Sequence, residues 1–120
     1  EKKLILGNLD AKRDWGHAKD YVEAMWLMLQ KKKPDDFVVA TGKQHSVREF
    51  ARQAFAVAGL DYKKYIIIDK NLFRPAEVNT LLGSYSKAKR ILKWKPKTSF
   101  KDLVKDMVES DIQSIIKSGY

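Results

Sequence analysis

Short apolar runs alternate with helical patterns along this chain. Leu4 to Leu6 is an apolar run that ends at the turn dipeptide Gly7-Asn8, and Tyr65 to Ile68 is another. Phe37 to Ala40 is continuously apolar, which is typical of a strand covered on both faces. Three short strands separated by helices predict an α/β unit.

The clearest helix signal is a capping box. Ser46 lies three residues before Glu49, so that its hydroxyl can accept from the Glu49 backbone N–H while the Glu49 side chain reaches back. Apolar residues then follow helical spacing up to Gly59, which ends the helix. Ser86 is predicted to cap a short third helix, and Ser99 with Asp102 predicts the start of a fourth.

The first predicted helix runs from Tyr21 to Gln30, with Asp20 as its N-cap. It is apolar on most of its surface and should be buried on more than one side. We expect all three tryptophans, Trp15, Trp26 and Trp94, in the core. Three short strands cannot cover so many apolar faces, so some packing partners are expected outside this chain.

Composition narrows the classes of function. The 120 residues contain no cysteine and only two histidines, which argues against thiolate metal sites, cysteine nucleophiles and multi-histidine metal sites. The longest apolar run is too short to span a bilayer. The chain starts at Glu1-Lys2-Lys3 without a signal sequence, and we expect it to be the middle or end of something longer.

The net charge of +9 raises the question of nucleic-acid binding. Nineteen of the 24 positive residues are lysines, whereas base readout favours the planar arginine fork. A solvated basic surface is therefore the preferred interpretation, with a basic nucleic-acid-binding module as the less favoured alternative.

Two polar segments carry the candidate chemistry. Gly7 to His17 concentrates charge beside Trp15, and Phe73-Arg74-Pro75-Ala76-Glu77-Val78 places an arginine and a glutamate three residues apart beside a stiffening proline. An arginine fork suits phosphate, and a carboxylate suits a ribose diol. Pairing between Arg74 and Glu77 themselves is an equally weighted alternative.

These segments resemble the GDP-mannose 4,6-dehydratase family of extended short-chain dehydrogenases/reductases. The resemblance includes GNLDAKRDWGHAKDY from Gly7, the Phe37 to Gly42 run with its capping box, the Arg-Pro-x-Glu motif, and Leu92-Lys93-Trp94-Lys95-Pro96. It covers nearly the whole chain in order, and it implies the C-terminal nucleotide-sugar-binding portion of such an enzyme over residues 1–120. Roughly 1–45 would include elements that pack on an N-terminal Rossmann domain absent from this chain.

The resemblance implies substrate-binding roles for particular residues. Arg13 and Arg74 match arginines that reach the diphosphate of GDP-mannose, and Glu77 matches the carboxylate that accepts from the ribose hydroxyls. Lys12 and Asn8 are weaker candidates, since Lys12 should point away from the site and Asn8 is expected to shape the turn.

No catalytic residue is expected in this chain, because the family's catalytic residues and its glycine-rich dinucleotide loop would lie before Glu1. Tyr85-Ser86-Lys87-Ala88-Lys89 has Tyr-x-x-x-Lys spacing, but no cofactor loop lies nearby. His17 is expected to be a hydrogen-bonded structural residue beside Asp20, and His45 a loop residue.

The resemblance implies an NADP-dependent lyase that forms GDP-4-keto-6-deoxymannose for GDP-fucose biosynthesis, cytoplasmic and homo-oligomeric, with no membrane or nucleic-acid partner and with NADP bound by the missing domain. This portion should be inactive alone. A related nucleotide-sugar epimerase or reductase portion is the alternative within the same superfamily.

Overall fold

A computed structural model describes residues 2–119 of the chain. It contains four strands, β1 (Leu4–Leu6), β2 (Lys12–Arg13), β3 (His45–Ser46) and β4 (Ile66–Ile68). It also contains four α-helices, α1 (Ala18–Leu29), α2 (Val47–Val57), α3 (Ser86–Leu92) and α4 (Phe100–Ser118). Two single-turn 3-10 helices flank β4, at Tyr62–Lys64 and Lys70–Leu72.

The strands form two small sheets. β1 and β4 are parallel, with Leu4 opposite Ile66 and Leu6 opposite Ile68. β2 and β3 are antiparallel, with Arg13 opposite His45, and a bridge from Lys12 to Thr80 extends this sheet on its other side. The alternation of strands and helices is confirmed, but the pairing of β2 with β3 is not visible as an apolar pattern because both strands are only two residues long.

The predicted strand at Phe37 to Ala40 is wrong. This segment has no secondary structure, because no described strand lies beside it to complete a hydrogen-bonded ladder. Phe37 and Val39 instead pack against the core formed by α1 and α3. Ala40 is buried where Gly83 approaches it, and a Cβ at Gly83 would lie 2.4 Å from the Ala40 Cβ.

The main core joins α1, α3 and the turn after α3. Ala24, Ala88, Leu92 and Trp94 are its buried residues. The turn is closed by Lys93, which has a left-handed φ of 57° and caps α3. Trp94 is only 1% exposed, so its predicted place in the core is confirmed.

A second packing unit joins α2 and α4. Leu103 and Val104 of α4 and Ala51 of α2 are buried. Trp15 packs between Phe50 and Phe100, with ring centroids at 5.1 and 5.8 Å. Trp15 is therefore part of an aromatic cluster, and it remains partly exposed.

Two of the four predicted helix caps are confirmed. The Ser46 hydroxyl accepts from the Glu49 backbone N–H at 3.1 Å, and the Ser99 hydroxyl accepts from Asp102 at the same distance. Ser86, by contrast, is the first helical residue of α3, and its N-cap is Tyr85, whose side chain makes no capping bond. These differences are local and leave the helix order unchanged.

Asp20 is not the N-cap of α1. His17 has that role, and its Nδ1 accepts from the Lys19 backbone N–H. Asp20 lies in the first turn and is only 3% exposed, because its carboxylate accepts from the backbone N–H groups of Lys97 and Thr98 at 3.1 and 2.9 Å. Its carbonyl accepts from the Trp94 indole at 2.8 Å.

The apolar surface of α1 is only partly covered. Val22, Met25 and Trp26 are each close to 60% exposed, and Leu29 is 81% exposed. The prediction that Trp26 lies in the core is therefore wrong for this chain, and α1 is buried mainly along the side that carries Ala24. Among the described residues, no helix has both the length and the apolar character required to cross a membrane.

Asp20 should contribute strongly to stability. Replacing it by alanine leaves two backbone N–H groups in the turn before α4 without an acceptor, and we expect the free energy of unfolding to fall by about 2–3 kcal/mol. Urea denaturation followed by circular dichroism measures this change. Asp111→Ala, on the exposed end of α4, is the matched control and should change stability by less than about 0.5 kcal/mol. Equal denaturation midpoints for the two variants would show that Asp20 does not hold the turn.

Candidate functional site

The two polar segments singled out in the sequence meet in the structure. Segment 77–81 runs alongside β2, since the Lys12 N–H donates to the Asn79 carbonyl at 2.8 Å and the Leu81 N–H donates to the Lys12 carbonyl at 3.0 Å. The Arg-Pro-x-Glu motif is thereby brought next to Arg13, although 64 residues of chain separate Arg13 from Glu77. A small platform results, with β2 in its middle.

The Arg13 guanidinium closes this platform. Its Nη2 donates to Glu77 Oε1 at 2.9 Å, and its Nη1 donates to the carbonyls of Val78 and Lys12 at 2.6 and 2.8 Å. Both partners of the ion pair are partly shielded, with side-chain exposures of 25% for Arg13 and 21% for Glu77. We call these three contacts the Arg13 clasp. Glu77 therefore pairs with Arg13, which excludes the alternative in which Arg74 and Glu77 pair with each other.

Arg74 lies on the open side of the platform. It is exposed, and within the described part of the chain its guanidinium has no ion-pair or hydrogen-bond partner. Pro75 follows it directly and fixes the backbone φ there. Arg74 thus presents an uncommitted planar fork three residues before Glu77, and such a fork is suited to an oxyanion.

Lys12 and Asn8 are the remaining candidates. Lys12 is exposed, and its backbone, not its ammonium group, makes the contacts within the platform. The Asn8 side-chain oxygen accepts from the Asp10 backbone N–H at 3.0 Å, as the expected turn-shaping role requires. Neither side chain is directed into the Arg13 clasp by a hydrogen bond.

Asp14 is a site residue that the sequence analysis missed. Its carboxylate accepts from the Thr41 N–H and hydroxyl at 3.0 and 2.5 Å, from the Gly42 N–H at 3.1 Å and from the Gly83 N–H at 3.3 Å. It thereby fixes two distant loops directly beside Arg13. The only indication of its role in the sequence is its position in an Arg-Asp-aromatic segment. The neighbouring residues do not show which distant loops will donate hydrogen bonds to its carboxylate.

Tyr21 and Gly16 complete the support of this segment. The Tyr21 hydroxyl lies so close to Gly16 that a Cβ there would be 2.1 Å from it, which explains the glycine. Burial raises the pKa of the Tyr21 hydroxyl, and the nearby carboxylates of Asp14 and Asp20 raise it further. Tyr21 is therefore a neutral packing residue of this site.

Both histidines have structural partners. His17 Nε2 lies 2.8 Å from Asp106 Oδ2, so His17 is hydrogen-bonded as expected, but to α4 and not to Asp20. This hydrogen bond lowers the pKa of Asp106. His17 thus ties the start of α1 to α4.

His45 is more than a loop residue. Its ring stacks on Phe100 at 3.9 Å between centroids, and its Nδ1 lies 2.8 Å from Glu49 Oε2. The hydrogen bond from His45 lowers the pKa of Glu49, and the Ser46 backbone N–H lowers it further.

The described residues offer no place for a metal ion or for a dinucleotide. Within residues 2–119 no group of three or more His, Asp or Glu side chains is arranged to hold a metal. Gly7 follows β1 in the position where a dinucleotide loop would begin, but a Cβ there would lie 3.0 Å from the Leu72 carbonyl oxygen, and the chain continues into β2 and not into a helix. These residues do not fit a nicotinamide dinucleotide.

The fold matches part of the fold of extended short-chain dehydrogenases/reductases. The structure superposes on a UDP-glucose 4-epimerase from Thermotoga maritima with a TM-score of 0.84 at 24% identity, over 94% of this chain and 36% of that one. It superposes on RMD from Pseudomonas aeruginosa, complexed with NADPH, with a TM-score of 0.81 at 24% identity and the same shares.

Sequence comparison gives a closer assignment. GDP-mannose 4,6 dehydratase 1 of Arabidopsis thaliana is 57% identical over 113 residues, which are 94% of this chain and 31% of that protein. The chain thus spans about a third of the length of the relatives it matches. The family model for GDP-mannose 4,6 dehydratase matches residues 1–107. This match includes both the Arg-Asp-Trp segment and the Arg-Pro-x-Glu motif, which the Arg13 clasp brings together. This chain therefore belongs to the GDP-mannose 4,6-dehydratase family.

Proposed function

We propose that this chain is the nucleotide-sugar-binding portion of an NADP-dependent lyase that converts GDP-mannose to GDP-4-keto-6-deoxymannose. The observation that carries the proposal is the Arg13 clasp, which holds the Arg-Pro-x-Glu motif beside β2 and leaves Arg74 uncommitted. Membership of the dehydratase family supports the choice of reaction. Cytoplasmic location, homo-oligomeric assembly and a place in GDP-fucose biosynthesis belong to the same proposal.

Arg74 is the principal diphosphate ligand in this proposal. Its guanidinium has five N–H donors, and none of them donates to an acceptor in the described part of the chain. Two of these N–H groups can therefore bind two phosphate oxygens at once. Arg13 has less capacity, because three of its N–H groups are engaged by Lys12, Val78 and Glu77. Two N–H groups of Arg13 remain for a second contact to the diphosphate.

Glu77 is the ribose ligand. Its Oε1 is held by Arg13, whereas Oε2 has no hydrogen-bond partner among the described residues. A carboxylate oxygen whose partner oxygen is already fixed is well oriented to accept from a ribose hydroxyl. The Arg13 clasp therefore positions Glu77 before any nucleotide arrives, which lowers the entropic cost of binding.

The nicotinamide cofactor would be bound outside this chain, since residues 2–119 do not fit it. The support for such a cofactor is the likeness of the fold to RMD, whose structure contains NADPH. Hydride transfer is the chemistry that this cofactor supplies when bound. The residues of this chain bind and orient the nucleotide, and His17 and His45 are each hydrogen-bonded to a carboxylate within the chain.

The Arg13 clasp can be tested in the absence of ligand. Arg13→Gln removes its three donated bonds, and we expect the Leu81 amide, which donates to Lys12, to exchange with solvent about tenfold faster. Hydrogen exchange followed by NMR gives this rate. Arg74→Gln makes the same chemical change at an uncommitted arginine and should leave the Leu81 rate unchanged. Faster exchange in both variants would argue against a specific clasp.

Arg74 should dominate nucleotide affinity. In the intact enzyme, Arg74→Ala should weaken GDP binding by about thirty- to hundredfold, since a charge-assisted fork contributes about 2–3 kcal/mol. Arg74→Lys should recover part of this loss, because it restores charge without the bidentate geometry. Calorimetric titration of GDP provides the affinities.

Lys12→Ala is the control for that titration, because Lys12 is an exposed cation on the same platform. It should weaken GDP binding by no more than about threefold. If Arg74→Ala binds GDP as tightly as the parent enzyme, Arg74 does not bind the diphosphate and the proposal for this motif fails.

The 120-residue chain by itself should not turn over GDP-mannose in the presence of NADP. It contains neither a dinucleotide loop nor a credible Tyr/Lys pair, and Tyr85 belongs to the core cluster that packs on Trp94. Chromatographic assay for GDP-4-keto-6-deoxymannose tests this. Turnover by a preparation free of any longer enzyme would show that the catalytic groups lie within this chain.

A further inference from the structure

A cavity of about 490 Å³ lies beside β3 and the start of α4. Its volume is in the range of small-molecule sites. Two short stretches, residues 96–101 and parts of 41–45, form most of its lining, together with Trp15, Gln53 and Tyr85. None of the proposed nucleotide ligands, Arg13, Arg74 and Glu77, lines it. The proposed function therefore leaves this cavity without a role.

The charge of the lining is entirely positive. Lys43, Lys97 and Lys101 line the cavity, and no aspartate or glutamate does. Lys97 is paired with Glu23 at 3.0 Å, whereas Lys43 and Lys101 have no carboxylate partner among residues 2–119. Two cations without counter-charges around a concave surface favour an anionic ligand.

The walls are aromatic and held in place. His45 stacks on Phe100 with an angle of 7° between the rings, and its Nδ1 is hydrogen-bonded to Glu49 Oε2. Trp15 stacks on the same Phe100 at 5.8 Å. Rings fixed in this way form a preorganised apolar surface, against which the C–H face of a sugar can pack.

We propose that this cavity is a binding site for a phosphorylated sugar. Lys43 and Lys101 bind the phosphate, and the aromatic wall packs against the sugar ring. This site is additional to the proposed nucleotide platform and does not depend on it.

Glucose 6-phosphate is a suitable probe, with glucose and inorganic phosphate as its separate halves. Calorimetric titration into the full 120-residue chain should give saturable binding of glucose 6-phosphate with a dissociation constant below about 1 mM. Each half alone should bind at least tenfold more weakly. Lys43→Gln/Lys101→Gln should reduce the affinity for glucose 6-phosphate at least tenfold.

The matched control is Lys63→Gln/Lys117→Gln, which removes the same charge from exposed positions outside the cavity. It should keep the affinity for glucose 6-phosphate within twofold, with all variants first shown to unfold at the parent's urea midpoint. An equal loss of glucose 6-phosphate affinity in the two double variants would show a general charge effect and overturn the proposal. Binding of glucose 6-phosphate that does not saturate would also overturn it. Arg74→Ala separates the two proposals, since Arg74 is exposed, has no ion-pair or hydrogen-bond partner within the described residues and does not line the cavity, so that its replacement should leave glucose 6-phosphate binding unchanged. Loss of that binding would place the ligand on the nucleotide platform and overturn this site.

Discussion

The Asp14 carboxylate is the contact on which the rest of the structure depends. It binds Thr41, Gly42 and Gly83, so that one short side chain joins three segments that are far apart in sequence. Arg13 precedes it directly and is thereby held at a fixed position relative to both loops. Hydrogen bonds to a charged acceptor are stronger than neutral ones, which makes this a stable anchor. Both the Arg13 clasp and the Thr41 side of the cavity are built on it.

Such anchors are needed because the sheets are so small. Each has two strands, and β2 and β3 have two residues each, so that few ladder hydrogen bonds connect distant parts of the chain. Asp20 supplies the equivalent link on the other side of α1, where it binds the turn that leads into α4. Because a buried carboxylate without partners is costly, each aspartate also excludes arrangements in which its N–H donors lie elsewhere.

Local signals in the sequence predicted local structure well. The capping residues Ser46 and Ser99 need only the next three residues to act, and both helices begin where expected. The candidate site residues Arg13 and Glu77 were identified through the resemblance to a family, and the structure brings them into contact. The sequence did not show that they pair with each other, because 64 residues separate them.

The errors have a common physical origin. Phe37 to Ala40 has the composition of a buried strand, but a strand exists only where another strand completes its ladder. Asp20 has a side chain that commonly caps helices, but its carboxylate accepts hydrogen bonds from the distant Lys97 and Thr98 backbone amides. His17 caps the helix instead. Trp26 is apolar enough for a core, yet no described element covers it. In each case a non-local contact, present or absent, decides the outcome.

The two arginines of the platform illustrate how structure divides the roles of chemically identical side chains. Arg13 is half-buried and donates hydrogen bonds to two backbone carbonyls and to Glu77. It therefore mainly determines the position of the Arg-Pro-x-Glu motif. Arg74 is exposed and retains all five donors, so its contribution is realised only when an anion binds. Glu77 connects them, because one oxygen is fixed by Arg13 while the other faces the ligand in the proposal. In the proposed function, affinity at this site depends on Arg74 through direct contact and on Arg13 mainly through position, and substitutions at the two should be distinguishable even when both weaken binding.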